Sequence, residues 1–344
     1  MESVKEADAH FQLAVEHFSN RRIVDSLHHF HHAERLGSDP AECASGRWTC
    51  WMLLGEFEQA WRESDSLSLR ATPDPNRFWD GLPFTGKRVI LRCLHGYGDA
   101  IQFMRYAPLV RREASYLIVE THPELVSLFR GTPFIDEVIT WTGPDKGSPE
   151  WDQQIEVMEL PRAFRTTLQT IPNAVPYLYV PEDARQRSCE RLGGSNRPRV
   201  GILWASSNWN PARNIELARL HPFLELSRFA FYSFQRGPER QELRQLKYGI
   251  RDTAETSPEI ADTAADLTNM DLLITVDTMA AHLAGALGKP VWTLLPYHAD
   301  WRWMCDREDT PWYPTMRLFR QPAPGDWDSV IARIVDELTA ADWR

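Results

Sequence analysis

The sequence predicts an α/β protein: two doubly wound parallel-sheet halves in succession, preceded by a short all-α segment. Three observations carry that reading. First, Leu272 to Val276 is an apolar run without polar alternation, as suits a strand buried on both faces. It leads through Asp277-Thr278 into an alanine-rich helical stretch, Ala280 to Leu287, then Gly288 as a stop and a second apolar run, Val291 to Leu295, which together make a βαβ unit. Second, Arg88 to Leu94 reads as a strand that runs into Gly96-Tyr97-Gly98-Asp99 and a helical pattern. Third, residues 1–71 read as helices, with apolar residues at helical spacing.

In chain order, Phe11, Leu13, Ala14, Val15 and Phe18 mark one helix, Leu27, Phe30 and Ala33 the next, then Trp48, Trp51, Met52 and Leu54, then Phe57, Ala60, Trp61 and Ser64. Ser26-x-x-x-Phe30-x-x-Ala33 is echoed by Ala60-x-x-x-Ser64-x-x-Leu67 at an offset of 34, the tetratricopeptide period. Two readings stand: a short repeat array whose concave face holds a peptide, and a helical cap packed on the following domain. His28, His29, His31 and His32 fall in adjacent pairs on alternate sides of a helix and are read as a solvated histidine-rich surface, not a metal site. Residues 72–87, with Pro73, Pro75, Gly81, Pro83 and Gly86, are a linker.

The first α/β domain is expected over residues 88–184, with strands at Tyr116 to Glu120 and Glu137 to Trp141, a helix from His122 to Arg130, and a further element from Asp152 to Glu156. Residues 185–198 are polar and contain Gly193-Gly194-Ser195-Asn196, and read as an interdomain linker. The second domain spans 199–344. Its strands are expected at Val200 to Ala205, Phe229 to Gln235 and Ile250 to Asp252, and a helix opens at Asp262 or Thr263. Tyr297 to Arg320 is a long aromatic loop, expected to shape a cleft or to seal the domain edge. Asp326 caps a last helix with Val330, Ile331, Ile334, Val335 and Leu338 on one face, a candidate to pack back on the first domain.

A formal net charge of -10 argues against nucleic acid or an anionic membrane surface as partner. No apolar run reaches the length of a membrane span. The polar start, Met1 to Glu6, predicts no secretory leader, and five scattered cysteines without zinc spacing predict reduced thiols and a cytoplasmic location. Fourteen tryptophans fit packed cores or a sugar-binding cleft equally well.

The helix that starts at Asp277-Thr278 points its N-terminus at the carboxyl end of the sheet, a position that favours a phosphate. Gly96-x-Gly98 has Ile101 where a dinucleotide fingerprint places a third glycine, which excludes a nicotinamide or flavin cofactor. Asp99 reads either as a helix N-cap or as a functional carboxylate at the mouth of its strand. Arg213, in the loop Ser206 to Arg213, reads either as a phosphate partner or as a surface arginine.

Gly96-Tyr97-Gly98-Asp99-Ala100-Ile101-Gln102-Phe103-x-Arg105-Tyr106-Ala107-Pro108-Leu109 resembles the first-domain signature of tetratricopeptide-linked glycosyltransferases of the heptosyltransferase-like family (family 9 type). Val276-Asp277-Thr278-x-x-Ala281-His282-Leu283-Ala284-Gly285-Ala286-Leu287-Gly288-Lys289-Pro290 resembles the donor-site motif of the same family, and Asp300-Trp301-Arg302-Trp303 with Asp306 to Pro314 is similar to the segment that follows. The resemblance covers about residues 85–335. It implies a GT-B fold, in which two Rossmann-like domains face each other across a cleft. It further implies a nucleotide-sugar donor, a glycan or protein acceptor, inverting transfer, and no metal or other cofactor. By the same resemblance Asp99 is the catalytic base. Asp277, Thr278, Met279, His282, Arg213, Ser206 and Trp204 hold the donor, and Gly96, Tyr97, Gly98, Gln102 and Arg105 line the acceptor side of the cleft. The sequence departs from the family's pattern after Trp204-Ala205: Ser206-Ser207-Asn208-Trp209-Asn210-Pro211-Ala212-Arg213 is shorter and poorer in arginine. Against the transferase stand a non-catalytic scaffold that binds a partner protein through the helical repeats, and an epimerase on the same fold.

Overall fold

The computed structural model describes residues 2–70, 78–141, 149–206, 210–245, 249–257 and 259–340. The chain divides into two compact units. One holds Met1–Arg77, Pro161–Ile171 and His298–Arg307; the other holds Phe78–Leu160, Pro172–Tyr297 and Glu308–Arg344.

The first unit is built on α1 (Glu2–Ser19), α2 (Ile23–Leu36), α3 (Pro40–Leu54) and α4 (Phe57–Arg70), each packed on the next. Asp39 starts α3 by accepting the Ala41 and Glu42 N–H groups at 2.7 and 3.0 Å, with Pro40 in the first turn where its missing N–H costs nothing. Gly55 ends α3 at φ 77°, a left-handed conformation that favours glycine. Ser26 and Ala60, the two residues related by the 34-residue offset, are both fully buried. Arg47 ties three helices together, reaching Glu34 of α2 at 2.7 Å and Glu63 of α4 at 2.6 Å. The histidines are more than a solvated face: His29 stacks on His17 of α1 with centroids 4.9 Å apart, and its Nδ1 lies 2.8 Å from His10 Nδ1. Burial and the neighbouring His17 and His10 hold the His29 pKa down. Among the described residues no group of three or more metal-ligating side chains is arranged to hold a metal ion. Trp301 and Cys305 belong to this core too: Trp301 meets Trp48 edge-on at 5.6 Å, and the Cys305 N–H donates to Leu53 O at 2.9 Å. The expectation that this part of the 297–320 loop shapes a cleft is therefore corrected, because its apolar surface is spent on the helices. Pro73 lies outside the described residues.

The second unit contains two parallel sheets. The first is made of β1 (Arg88–Arg92), β2 (Tyr116–Thr121), β3 (Glu137–Thr140) and β4 (Gln153–Glu156), with α5 (Tyr97–Phe103), α6 (Ala107–Glu113) and α7 (Val126–Arg130) after its strands; the single turn α8 (Leu160–Ala163) follows β4, and all of it but Leu160 belongs to the first unit. Its order is β3-β2-β1-β4. Val89, Ile90 and Leu91 are all fully buried, as a strand covered on both faces requires.

The second sheet follows α9 (Glu182–Leu192). It comprises β5 (Arg199–Leu203), α10 (His221–Leu224), β6 (Ala230–Ser233), β7 (Arg251–Asp252), α11 (Ile260–Thr268), β8 (Leu272–Val276), α12 (Met279–Ala286), β9 (Val291–Leu295), β10 (Met316–Arg320) and α13 (Trp327–Ala340). The order β10-β9-β8-β5-β6-β7 is that of a dinucleotide-type doubly wound sheet, reversing direction between β5 and β8. Three expectations change here. Residues 185–192 are helix rather than linker: Ala184, Ser188 and Leu192 face inward, while Arg187 and Arg191 pair with Asp262 and Asp266 of α11 at 2.8 and 2.5 Å. Met316 to Arg320, read as the end of a loop, is a strand paired with β9. And α13 packs on its own sheet, with Val330, Ile331, Ile334 and Leu338 in one core with Val200, Ile202 and Phe319. Among the described residues no helix is long and apolar enough to cross a membrane.

Candidate functional site

In open α/β sheets ligands collect at the carboxyl ends of the strands where the strand order reverses. Each sheet has one such point. In the first it lies between β1 and β4, beneath the loop from Cys93 to Gly96. In the second it lies between β5 and β8, beneath the loops that carry Arg213 and Asp277.

The two points meet. A Cβ on Gly98 would stand 3.0 Å from His282 Cδ2 and 3.7 Å from the Met279 backbone. The first turn of α5 thus lies against the first turn of α12, and a side chain at Gly98 would fit only if His282 gave way by a few tenths of an ångström. Asp99 sits in that turn of α5, and its Oδ2 accepts the Gly96 N–H at 3.1 Å. So Asp99 does act at the helix start, and the same bond holds its carboxylate at the crevice. Tyr97 is half-buried beside it.

Across the crevice, Asp277 is buried and stands 3.5 Å from Arg213 Nη1 and 3.9 Å from His282 Nε2. Tyr313 approaches His282 from the other side, its hydroxyl 3.0 Å from Nδ1. Burial raises the Tyr313 phenol well above its ordinary pKa, so the hydroxyl keeps its proton and can donate to His282. Thr278 holds the N-cap position of α12, but its hydroxyl lies 3.1 Å from the Thr275 hydroxyl and makes no capping bond. The Thr278 side chain gives the N-terminal turn of α12 no cap, and Met279 is half-buried on that turn. Such a turn offers N–H groups and positive potential to an anion.

The loop after β5 is pinned at its base. Asn214 Oδ1 accepts from the Ser206 N–H at 2.8 Å, and Gln235 Oε1 accepts from the Trp204 and Ala205 N–H groups at 3.1 and 2.9 Å. Ser206 and Arg213 therefore border the second switch point. Residues 207–209 of this loop lie outside the described residues.

Three predicted site residues are placed elsewhere. The Trp204 ring is fully buried in the second core and contributes only its backbone to the loop. Gln102 is fully buried as well. Arg105 is 2% exposed and lies among three rings, 4.4 Å from Tyr313, 5.0 Å from Tyr177 and 5.3 Å from Trp312. It donates to Gln102 O at 2.7 Å, to the Tyr177 hydroxyl at 3.2 Å and to Trp312 O. Its charge is used up inside the molecule, so Arg105 joins the first sheet's helix to the second sheet's aromatic segment from behind the crevice and does not line it. One residue of the site had no assigned role in the sequence reading: Tyr313 was one of several loop aromatics, although Pro311 and Pro314 around it mark a fixed turn.

Comparison with solved structures now gives a fold. The chain is similar to a glycosyltransferase of family 9 from Veillonella parvula, at 14% identity and a TM-score of 0.55, over 76% of this chain and 92% of the other. It is similar to the ADP-heptose lipopolysaccharide heptosyltransferase II of E. coli at 15% identity and a TM-score of 0.55, over 74% of this chain and 98% of the other. The chain has the GT-B fold. No family model matches the sequence. Protein FlbA of Caulobacter vibrioides is 25% identical over 87% of this chain, and the match spans only 55% of that protein's length.

Proposed function

We propose that the chain is a glycosyltransferase that moves a sugar, of hexosyl or heptosyl type, from a nucleotide-sugar donor to a hydroxyl of a glycan or protein. The observation that supports this is the close approach of Gly98 to His282 and Met279, in keeping with a carboxylate on one side of a crevice and a helix start on the other. Asp99 takes the proton of the acceptor hydroxyl as its oxygen attacks the anomeric carbon. The bond from that carbon to the donor phosphate breaks on the far face, with inversion. A positioned base of this kind contributes roughly 10²–10⁴ in rate. The departing nucleoside diphosphate gathers negative charge, which the N–H groups of the first turn of α12, the Thr278 hydroxyl and Arg213 meet without a metal. Asp277 holds Arg213 and His282 in place, and the Tyr313 hydroxyl fixes His282 from behind.

In this reading the protein works in the cytoplasm, and a protein acceptor would engage the helical first unit, on whose surface Leu13, Val15 and Val24 are exposed. The test is product formation from a panel of nucleotide sugars, alongside thermal stabilisation by the matching nucleoside diphosphates. Asp99→Asn is expected to lower turnover at least a hundredfold and to keep the nucleotide response. Undiminished turnover in that variant would remove Asp99 as the base.

A further inference from the structure

Three rings stand in a row along the carboxyl edge of the first sheet. Trp141 follows the last residue of β3, His122 follows the last residue of β2, and Tyr97 opens α5 after β1. These strands are neighbours in the order β3-β2-β1, which sets the rings side by side. His122 lies 4.1 Å from Trp141 and 4.6 Å from Tyr97, centroid to centroid. The row is no core cluster: Trp141 is 42% exposed. It is also held in place. His122 Nε2 lies 2.7 Å from His95 O, so it donates its proton there and leaves Nδ1 as the accepting nitrogen of the neutral ring. Burial, with the Glu124 carboxylate beside it, raises the pKa of the Tyr97 phenol.

From this geometry we infer that Trp141, His122 and Tyr97 form a carbohydrate subsite that receives the acceptor as a neutral glycan. The inference rests on the transferase reading above and decides between its two acceptor classes. Aromatic faces carry negative potential, and the C–H face of a pyranose ring presents the opposite sign and a flat apolar surface. Its hydroxyls need partners at the rim, and the Glu124 carboxylate and the His122 Nδ1 supply them. The charge of Glu124 beside Tyr97 disfavours a phosphorylated or acidic ligand on the row. Tyr97 and Asp99 share the first turn of α5, so the row ends at the turn that carries that carboxylate.

The test is direct binding of methyl glycopyranosides and short neutral oligosaccharides to the full chain, followed by saturation-transfer NMR. Stabilisation by nucleoside diphosphates is measured in parallel on the same samples. The expected result is saturation of ring C–H protons by the wild type. Trp141→Ala and His122→Ala are expected to lose at least tenfold in affinity, and Trp141→Phe to retain most of it. The nucleotide response stays unchanged in all three. Affinity unaffected by Trp141→Ala and His122→Ala, or no binding of any neutral sugar, overturns the inference; so does a requirement of these side chains for a peptide ligand instead. Sugar binding that depends on Trp141 in a protein with no nucleotide response supports the subsite and counts against the transferase reading alone.

Discussion

Replacing Glu156 by glutamine should change how stability depends on pH. Glu156 ends β4 with 1% of its surface exposed. Its Oε2 accepts the Met158 N–H at 2.6 Å, while its buried Oε1 finds no close hydrogen-bond partner among the described residues. Burial, reinforced by the nearby Glu159 and Asp99 carboxylates and only partly offset by the Met158 and Leu94 N–H groups, pushes its pKa from 4.5 up to about 8. Here the folded value lies above the unfolded one. Folding therefore gains from this proton below the unfolded value, and the gain is lost as pH rises through the window from about 4.5 to about 8. The slope is at most about 1.4 kcal/mol per pH unit, so the wild type loses roughly 1 kcal/mol by pH 5, about 4 by pH 7.5 and no more than about 5 in all. Glutamine keeps the size and the acceptor for Met158 and removes the titration. Urea unfolding of both proteins between pH 5 and pH 8.5 reads the effect. The stability of Glu156→Gln relative to wild type should rise by about 3 kcal/mol between pH 5 and pH 7.5. Two parallel curves would show that Glu156 does not hold its proton in the folded state and would refute the reasoning.

Two further substitutions test the frame around the crevice. A Cβ on Gly285 would stand 2.5 Å from Tyr313 Cδ1. Gly285→Ala should therefore destabilise by about 1–3 kcal/mol, although alanine is the better helix former, and calorimetry would show a lower Tm; a higher Tm would mean the ring moves aside freely. Arg105→Lys should cost more stability than Arg105→Met, because lysine keeps a buried charge without the fork that reaches Gln102 O, Trp312 O and the Tyr177 hydroxyl. Chemical denaturation of the two variants gives the order, and lysine as the better substitute would deny that the fork matters.

The strands buried on both faces were legible because burial leaves its mark as an unbroken apolar run: Val89 to Leu91 and Leu272 to Val276 are placed as their composition says. The helix at 182–192 was hidden because its inward positions are Ala184, Ser188 and Leu192. Two of these carry little hydrophobic signal, and the arginines between them find their acids on α11, some 75 positions away in the chain. A pairing at that separation has no local trace. The strand at 316–320 was missed for a related reason, since Arg317 and Arg320 interrupt it and Arg317 is satisfied by Glu308 and Glu337. At the site, Gly96-Tyr97-Gly98-Asp99 and Asp277-Thr278 were visible as glycine turn and helix start, because those are local backbone devices. The sequence did not reveal that Gly98 lies against His282, or that Gly285 makes room for a ring from residue 313.

Arg105 shows where motif reading and physical reading part. As one of a string of residues matching a family signature it passes for a ligand contact. Physically, a guanidinium in that position had two outcomes: reach the crevice and stay hydrated, or turn inward and find acceptors. The chain provides the acceptors, two carbonyls and a phenol, and three ring faces with them. One of those rings, Tyr313, also fixes His282 in the crevice. The side chain that never meets a ligand thus positions the one that faces Gly98. The separation between the Asp99 turn and the start of α12 is set from behind by a buried cation, and in front by the absence of a Cβ. Any change that loosens the inner contact should appear at the crevice first as a change in how His282 meets Gly98 and Met279, before the fold itself is lost.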